Sequence, residues 1–482
     1  VRRLVVALHV FHLRLGRRPL RRIDDGERNP EVRSSTARRY LSPCRALHRR
    51  RSARPFSNQG ELNMETHFGT QIILLAEQLA GHSDDEDCLT VAYLTRAHQT
   101  AGAEIAGWMI EAGMQVRIDA VGNVIGRYPA PDADAPVLMA GSHFDTVRDG
   151  GRYDGRLGIL APIVAVKHLH ACGERLPFHL DVVAFAEEEG LRFHTSFLAS
   201  TALVREFDFA RLDQRDAGGV TLREAMIAAG LPGTEEAIAA CAVDGARLLG
   251  FVELHIEQGP VLLDRGLPLG AVTSIAGSVR KRITVTGVAS HAGTTPMPMR
   301  RDALVAAAEM VLAVERRCAD PRHASLALVG TVGTIGVPQG ASNVVPGRCE
   351  FSLDVRAADD AARDVALADL EGEFARIARE RGVGLEMTET MRVPCARCSP
   401  PLRQRLADCI EAAGVPALHL PSGAGHDAMV MARITDVCML FVRCGNGGIS
   451  HNPLETLAAA DADIAARVLL DFLRRTAATI GG

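Results

Sequence analysis

His143 and Asp145 stand in the segment GSHFDTV (141–147), and Asp154 follows eleven residues after His143, within GGRYDG (150–155). Three acids run together at Glu187, Glu188 and Glu189. His255 and Gln258 lie in HIEQGP (255–260), and His451 in GISHNP (448–453). Imidazole and carboxylate groups are ligands suited to zinc or manganese. His143, Asp154, one acid of the triplet 187–189, His255 and His451 make five candidate ligands, too many for one tetrahedral ion with an open position. They suit two ions that share a bridging carboxylate. Within an acidic triplet, one acid can bind metal while its neighbour faces substrate as a general base, its pKa tuned by the ions and by burial. Singly these features are ordinary. A lone histidine at a strand end is more often a hydrogen-bonded structural residue, and an acidic triplet a solvated turn. Their combination is what points to metal chemistry.

The segments need elements to bring them together. Short apolar runs at 137–140, 180–185, 251–254 and 437–442 lead into four of them and read as buried strands. Helical patterns at 71–80, 94–112 and 160–171 alternate with these runs, which predicts an α/β fold. In open α/β sheets ligands bind beyond the carboxyl ends of the strands, so distant segments can converge on one crevice. Residues 275–392 have another texture: strand 283–285, helix 302–317, strands 326–332 and 348–356, helix 361–381, and strand 385–390. That β-α-β-β-α-β order is the split βαβ, or ferredoxin-like, unit. Cys349, Phe351, Leu353 and Val355 alternate with Arg348, Glu350, Ser352, Asp354 and Arg356, giving one packed and one open face. The expected organisation is therefore a basic arm (1–63), a catalytic domain in two parts (64–274 and 393–482), and an inserted domain (275–392).

The net charge of −4 over 482 residues averages two unlike pieces. Residues 1–60 hold sixteen Arg, no Lys and four acids, a net +12 that leaves −16 on the remainder. The arm shows no periodicity, and disorder is expected there. It reads as a transit peptide, as a signal peptide using the run 4–10, or as translated upstream sequence before a start at Met64. The third reading is preferred, because no small-residue cleavage site follows the run and His9 and His12 interrupt it. The body has no apolar stretch long enough for a membrane helix, and its acidity gives no support to a nucleic-acid surface. Eleven scattered cysteines suggest reduced thiols in a cytoplasmic protein rather than a disulfide framework. Cys395 and Cys398 form a lone C-x-x-C with no second pair or nearby histidine, which reads as two ordinary thiols.

The segments GSHFDTV, GGRYDG, EEEG, ELHIEQGP and GGISHNP, in this order, resemble the dinuclear-metal amidase, hydantoinase and carbamoylase family of the aminoacylase-type metallopeptidase clan. The resemblance covers about 68–482 and includes allantoate amidohydrolases, N-carbamoyl-L-amino-acid hydrolases and β-ureidopropionases. It implies a mixed-sheet metallopeptidase-like catalytic domain with an inserted lid that also pairs a homodimer. It implies that His143, Asp154 and His255 hold one ion, zinc or manganese, and that Asp154 bridges to a second completed by Glu189 and His451. Glu188 matches the catalytic base, and Asp145 the acid that orients a histidine ligand. His291, in SHAGTTP, resembles the residue that stabilises the tetrahedral oxyanion. Asn343 and Arg356 resemble the pair gripping the substrate carboxylate, and Gln258 and Gly425 match further substrate contacts. Glu187 departs from the Asp or Asn usual there, with no expected effect on chemistry. The implied reaction is hydrolysis of the ureido C–N bond of allantoate or an N-carbamoyl-L-amino acid, releasing ammonia and carbon dioxide. The stretch 185–208 looks closer to amidohydrolases of purine catabolism, which favours allantoate. An aminoacylase or exopeptidase of the clan is the alternative, although the clan's exopeptidases usually carry a carboxylate where His255 stands. A non-catalytic metal-binding scaffold would need a missing ligand, and none is missing.

Overall fold

The apolar runs form strands whose burial follows their pattern. In chain order the strands are β1 (Gln115–Ile118), β2 (Val124–Tyr128), β3 (Val137–His143), β4 (His179–Phe185), β5 (Leu248–Ile256) and β6 (Leu269–Ile275). Next come β7 (Gly277–Thr286), β8 (Ser290–His291), β9 (Val329–Thr331), β10 (Ile335–Gly336) and β11 (Val344–Val345). The last are β12 (Arg348–Ala357), β13 (Gly384–Val393), β14 (Ala396–Arg397), β15 (Leu418–Ser422) and β16 (Val437–Val442). The computed structural model describes residues 67–321 and 327–480. The basic arm expected at 1–63, and residue 326 of the strand expected at 326–332, lie outside the described residues.

The large sheet runs β1-β2-β4-β3-β5-β16-β6-β14, with β15 beside β6. Its centre, β4-β3-β5-β16, is parallel, and β2 and β6 flank that centre antiparallel. Every residue of β3, β4 and β16 is buried, as expected for parallel strands covered on both faces. The helix Leu157–Ala171 crosses from β3 to β4 and is buried throughout from Leu157 to Val166. Glycine sets two close approaches here. A Cβ on Gly141 of β3 would stand 2.0 Å from the Val183 carbonyl oxygen, and one on Gly158 2.4 Å from that of Leu254. The four central strands thus end side by side along one edge, with the crossover helix pressed against them.

The small sheet runs β10-β12-β7-β13, with β9 also paired to β12, and every pairing is antiparallel. This is the strand order of a split βαβ unit. The helices Ala303–Cys318 and Asp360–Arg381 pack on it around a separate apolar cluster that includes Ile283, Met310, Phe351, Val355, Leu370 and Phe374. Strand β12 alternates as its sequence predicts: Cys349, Phe351, Leu353 and Val355 are buried, and the residues between them are not. Of the strand expected at 326–332, β9 covers 329–331, and β10 at 335–336 lies beyond it. Strands β1, β2, β6, β8, β10, β11, β14 and β15 have no counterpart among the sequence-based expectations. β1 is a half-exposed edge, and β14 has only two residues, so neither leaves an apolar period to read.

Candidate metal centre

Four parallel strands deliver the candidate ligands to one edge. His143 ends β3, His255 is the penultimate residue of β5, the acidic triplet follows β4, and the loop after β16 carries His451. Asp154 comes from the loop between β3 and the crossover helix. His143, Asp154 and His255 offer ligand atoms within 4.8 Å of one another, and so do Asp154, Glu189 and His451. Asp154 belongs to both groups.

Its two oxygens face different partners. Oδ1 lies 3.5 Å from His143 Nε2 and 3.2 Å from His255 Nε2. Oδ2 lies 3.3 Å from His451 Nε2, which is 3.2 Å from Glu189 Oε1. Ligand bonds of about 2.0–2.2 Å at tetrahedral angles separate neighbouring ligand atoms by roughly 3.4 Å, so these spacings fit a cation. The hydrogen bonding fits as well. His255 Nδ1 lies 2.8 Å from the Ile256 carbonyl oxygen, and His143 Nδ1 3.2 Å from that of Asp145. Each Nδ1–H donates to its carbonyl, which leaves Nε2 as the accepting nitrogen; that of His255 takes the Gly155 N–H at 3.1 Å, and both face the Asp154 oxygen. That Oδ1 is buried and has no hydrogen-bond donor. A buried anionic oxygen with no donor, beside two accepting ring nitrogens, suits a cation between them.

Asp145 works behind this arrangement. Its carboxylate accepts from the Glu188 N–H at 3.1 Å and the Glu189 N–H at 3.1 Å, and its Oδ1 is 3.4 Å from His143 Nδ1. It therefore ties the acidic triplet to the first histidine. Burial first, then the adjacent Glu189 charge, pushes the buried Glu188 carboxyl well above the usual range, and Glu188 also lies within ligand reach of His143. The Asp154 and Glu189 carboxylates raise His451 to about 11. Gln258 and His451 both hold left-handed backbone, at φ +55° and +54°. Such strain in non-glycine residues persists where the surroundings fix it, commonly at functional sites.

Gln258, expected as a substrate contact, donates from Nε2 to Asp154 Oδ2 at 2.7 Å. Glu187 is fully buried with neither oxygen hydrogen-bonded, and burial, then the Asp145 charge, pushes it well above the carboxylate range. Reading the sequence missed several supporting groups. Glu253 of β5 accepts from Ser142 Oγ at 2.6 Å and from the Ala428 N–H at 2.9 Å, joining the two ligand strands. The His426 ring stands edge-on to His255, with centroids 4.4 Å apart. Ser450 and Glu455 bond the Asp154 loop. An acid inside the apolar run before His255 was the readable signal for Glu253; Ser450 and Glu455 had only their nearness to His451.

The small sheet carries the other candidates. His291 Nδ1 accepts from the N–H groups of Gly293 at 3.0 Å and Thr294 at 3.2 Å, so its proton sits on Nε2 of an exposed ring. The β8–β11 pairing sets His291 against Val344, and the Ala292 N–H donates to the Asn343 carbonyl at 2.9 Å. Arg356 Nε and Nη2 each lie 3.1 Å from an oxygen of Asp354, and Nη1 donates to the Gly423 carbonyl at 3.0 Å. Its fork is thus engaged by Asp354. A Cβ on Gly425 would stand 2.7 Å from the Phe197 ring, so the chain is glycine-tight there. A cleft of about 1060 Å³ covers the open face of the small sheet, lined by Arg280, Arg282, Asp354, Arg356 and Gly423 among others. Among the described residues, no hydrogen bond links His291, Asn343 or Arg356 to the candidate ligands.

Known proteins share this architecture. The model of the peptidase family M20/M25/M40 matches residues 139–475. The chain is 38% identical over 447 residues to allantoate deiminase of Arabidopsis thaliana, covering 86% of this chain and 85% of that protein. It is 39% identical over 365 residues to N-carbamoyl-L-amino acid amidohydrolase of Geobacillus stearothermophilus, covering 76% and 88%. The crystal structure of a hydantoinase/carbamoylase family amidase from Burkholderia ambifaria superposes with a TM-score of 0.77 at 33% identity, over 85% of this chain and 97% of that one. With the ligand segments, the sheet order and these matches in agreement, the chain belongs to peptidase family M20/M25/M40 and, within it, to the group of the hydantoinase/carbamoylase amidases.

Proposed function

We propose that the chain hydrolyses the ureido C–N bond of a small carboxylate-bearing compound, allantoate or an N-carbamoyl-L-amino acid, with two divalent cations, zinc or manganese, at the Asp154 centre. The observation that carries this reading is the buried, donor-free oxygen of Asp154 between two histidine nitrogens, with Glu188 alongside. His143, Asp154 and His255 would hold one ion, and Asp154, Glu189 and His451 the other. Bound cations supply Lewis acidity to the ureido carbonyl and acidify water.

The chain's residues do the rest. Glu188 takes a proton from the attacking water and returns it to the leaving nitrogen, a task that suits a carboxyl whose pKa burial has raised. His291, with its proton held on Nε2, donates to the oxyanion when the small sheet closes over the crevice as a lid. Arg356 and Asn343 take the substrate carboxylate, and Arg356 exchanges Asp354 for it. The carbamate released falls to ammonia and carbon dioxide.

Exposed apolar residues on the small unit, among them Met297, Met299, Val305 and Leu312, support pairing of two copies through this lid. Among the described residues no helix is long and apolar enough to cross a membrane, and the cysteines are free, in keeping with a reducing cytoplasm.

Ammonia release from allantoate and from N-carbamoyl-L-amino acids, side by side, tests the function. Release from either supports it, and the preferred substrate is the one with the higher kcat/KM. No release from both, with cleavage of a dipeptide or N-acetyl amino acid, overturns it. Arg356→Lys should raise KM by about 10- to 100-fold, the worth of a charged hydrogen bond, with kcat little changed. An unchanged KM would remove Arg356 from carboxylate recognition.

A further inference from the structure

Asp154 and His451 come from loops far apart in the chain, yet a shared ion needs them at a fixed separation. We propose that Glu455, acting with Ser450, is a positioning residue that fixes this separation and so sets how tightly the ion at Asp154, Glu189 and His451 is held. The inference rests on the two-ion reading above.

Glu455 is 4% exposed. Its Oε1 accepts from the N–H groups of Tyr153 at 2.8 Å and Asp154 at 3.2 Å, so it grips the main chain of the bridging residue. Its Oε2 is 2.8 Å from Ser450 Oγ, and Ser450 Oγ is 2.6 Å from Asp154 Oδ2. One carboxylate therefore holds the backbone of Asp154 directly. The Ser450 hydroxyl, with a single proton to donate, stands between its other oxygen and the Asp154 oxygen that faces His451.

Two further features show that the path is built for this group. A Cβ on Gly151 would fall 2.1–2.4 Å from the carboxyl atoms of Glu455, so the side chain occupies space that glycine alone leaves open. His451, the residue after Ser450, sits at φ +54°, and the Glu455 N–H donates to the Asn452 carbonyl at 3.0 Å. The turn 452–455 thus locks the histidine's strained backbone into the same unit as the carboxylate. Sequestering a carboxylate from water is costly unless it is well partnered, and every partner of this one leads to Asp154 or the His451 turn.

Partners behind metal ligands typically contribute about 10- to 100-fold in metal affinity or activity. The test is a titration of the metal-stripped full-length chain with Zn²⁺ in chelator-buffered solution, with metal per chain measured by elemental analysis. The parent should take two ions. Ser450→Ala should bind the first as the parent does and the second about 10- to 100-fold more weakly, and Glu455→Ala, which also frees the Asp154 main chain, should weaken the second ion well beyond the first. Glu455→Gln keeps an oxygen for the two N–H groups and an amide for Ser450, and should recover most of that loss. At limiting metal kcat should fall with KM unmoved, and saturating metal should restore it.

Unchanged affinity for the second ion in both Ala variants overturns the proposal. So does equal weakening of both ions, which would mark a general staple of the fold. Ser450→Ala removes one hydroxyl only and decides the matter if Glu455→Ala does not fold. A parent that holds a single ion overturns the two-ion reading together with this inference, whereas a two-ion parent with indifferent variants overturns this inference alone.

Discussion

Glu188→Gln should bind as much metal as the parent and turn over about 10²- to 10⁴-fold more slowly, the usual worth of a positioned general base. Glutamine matches glutamate in size and keeps a hydrogen-bonding end, but it cannot accept the proton of the attacking water. The two candidate ligand groups that share Asp154 are complete without position 188: His143, Asp154 and His255 form one, and Asp154, Glu189 and His451 the other. The main-chain N–H of residue 188 still bonds Asp145, so the loop stays anchored. Metal analysis and single-turnover measurement on the same preparation separate the two effects. Parental turnover would assign the base elsewhere, and loss of metal would make Glu188 a ligand.

Asp154→Asn should be at least as damaging, for a different reason. An amide has one oxygen and one N–H₂ group, so it cannot present anionic oxygen to both triads. Either His143 and His255, or His451 and Glu189, would then face a donor where a cation should lie. At least one ion should be lost, and activity with it. Thermal unfolding gives a readout independent of turnover. An ion that binds only the folded chain stabilises it by about 2.7 kcal/mol at a hundredfold excess over its Kd. The parent's midpoint should therefore rise on adding Zn²⁺ and fall on chelation, while that of Asp154→Asn should respond far less. Equal responses in the two proteins would place the ions away from Asp154. Circular dichroism of the stripped variant checks that its fold is intact.

Four of the five candidate-ligand segments were legible because each follows a buried apolar run. Such runs as 137–140 and 437–442 carry their own evidence in continuous apolar character. The small sheet was legible in the alternation of β12, where a period of two separates packed from open positions. Edge elements such as β1 and β14 were not, since an exposed or two-residue strand has no period to detect. Side-chain partnerships were harder still. Gln258, expected to meet substrate, donates to Asp154, and Arg356, expected to hold a substrate carboxylate, is engaged by that of Asp354. Both are polar groups of the right chemistry whose partners depend on backbone direction, and the positive φ of Gln258 follows no residue rule.

Residue types alone specify which chemistry is available: five candidate metal ligands, a candidate base beside them, and the strands that lead to them in order. Residue type and local period carry that information, since burial and ligand character are properties of short segments. Only the tertiary structure decided that the two oxygens of Asp154 face separate triads, that one of them lacks a donor, and that Glu455 and Ser450 hold that carboxylate from the far end of the chain. Those are distances between loops remote in sequence. They are set by the parallel register of β4, β3, β5 and β16 and by glycine-tight approaches such as those at Gly141 and Gly151, which no local pattern encodes.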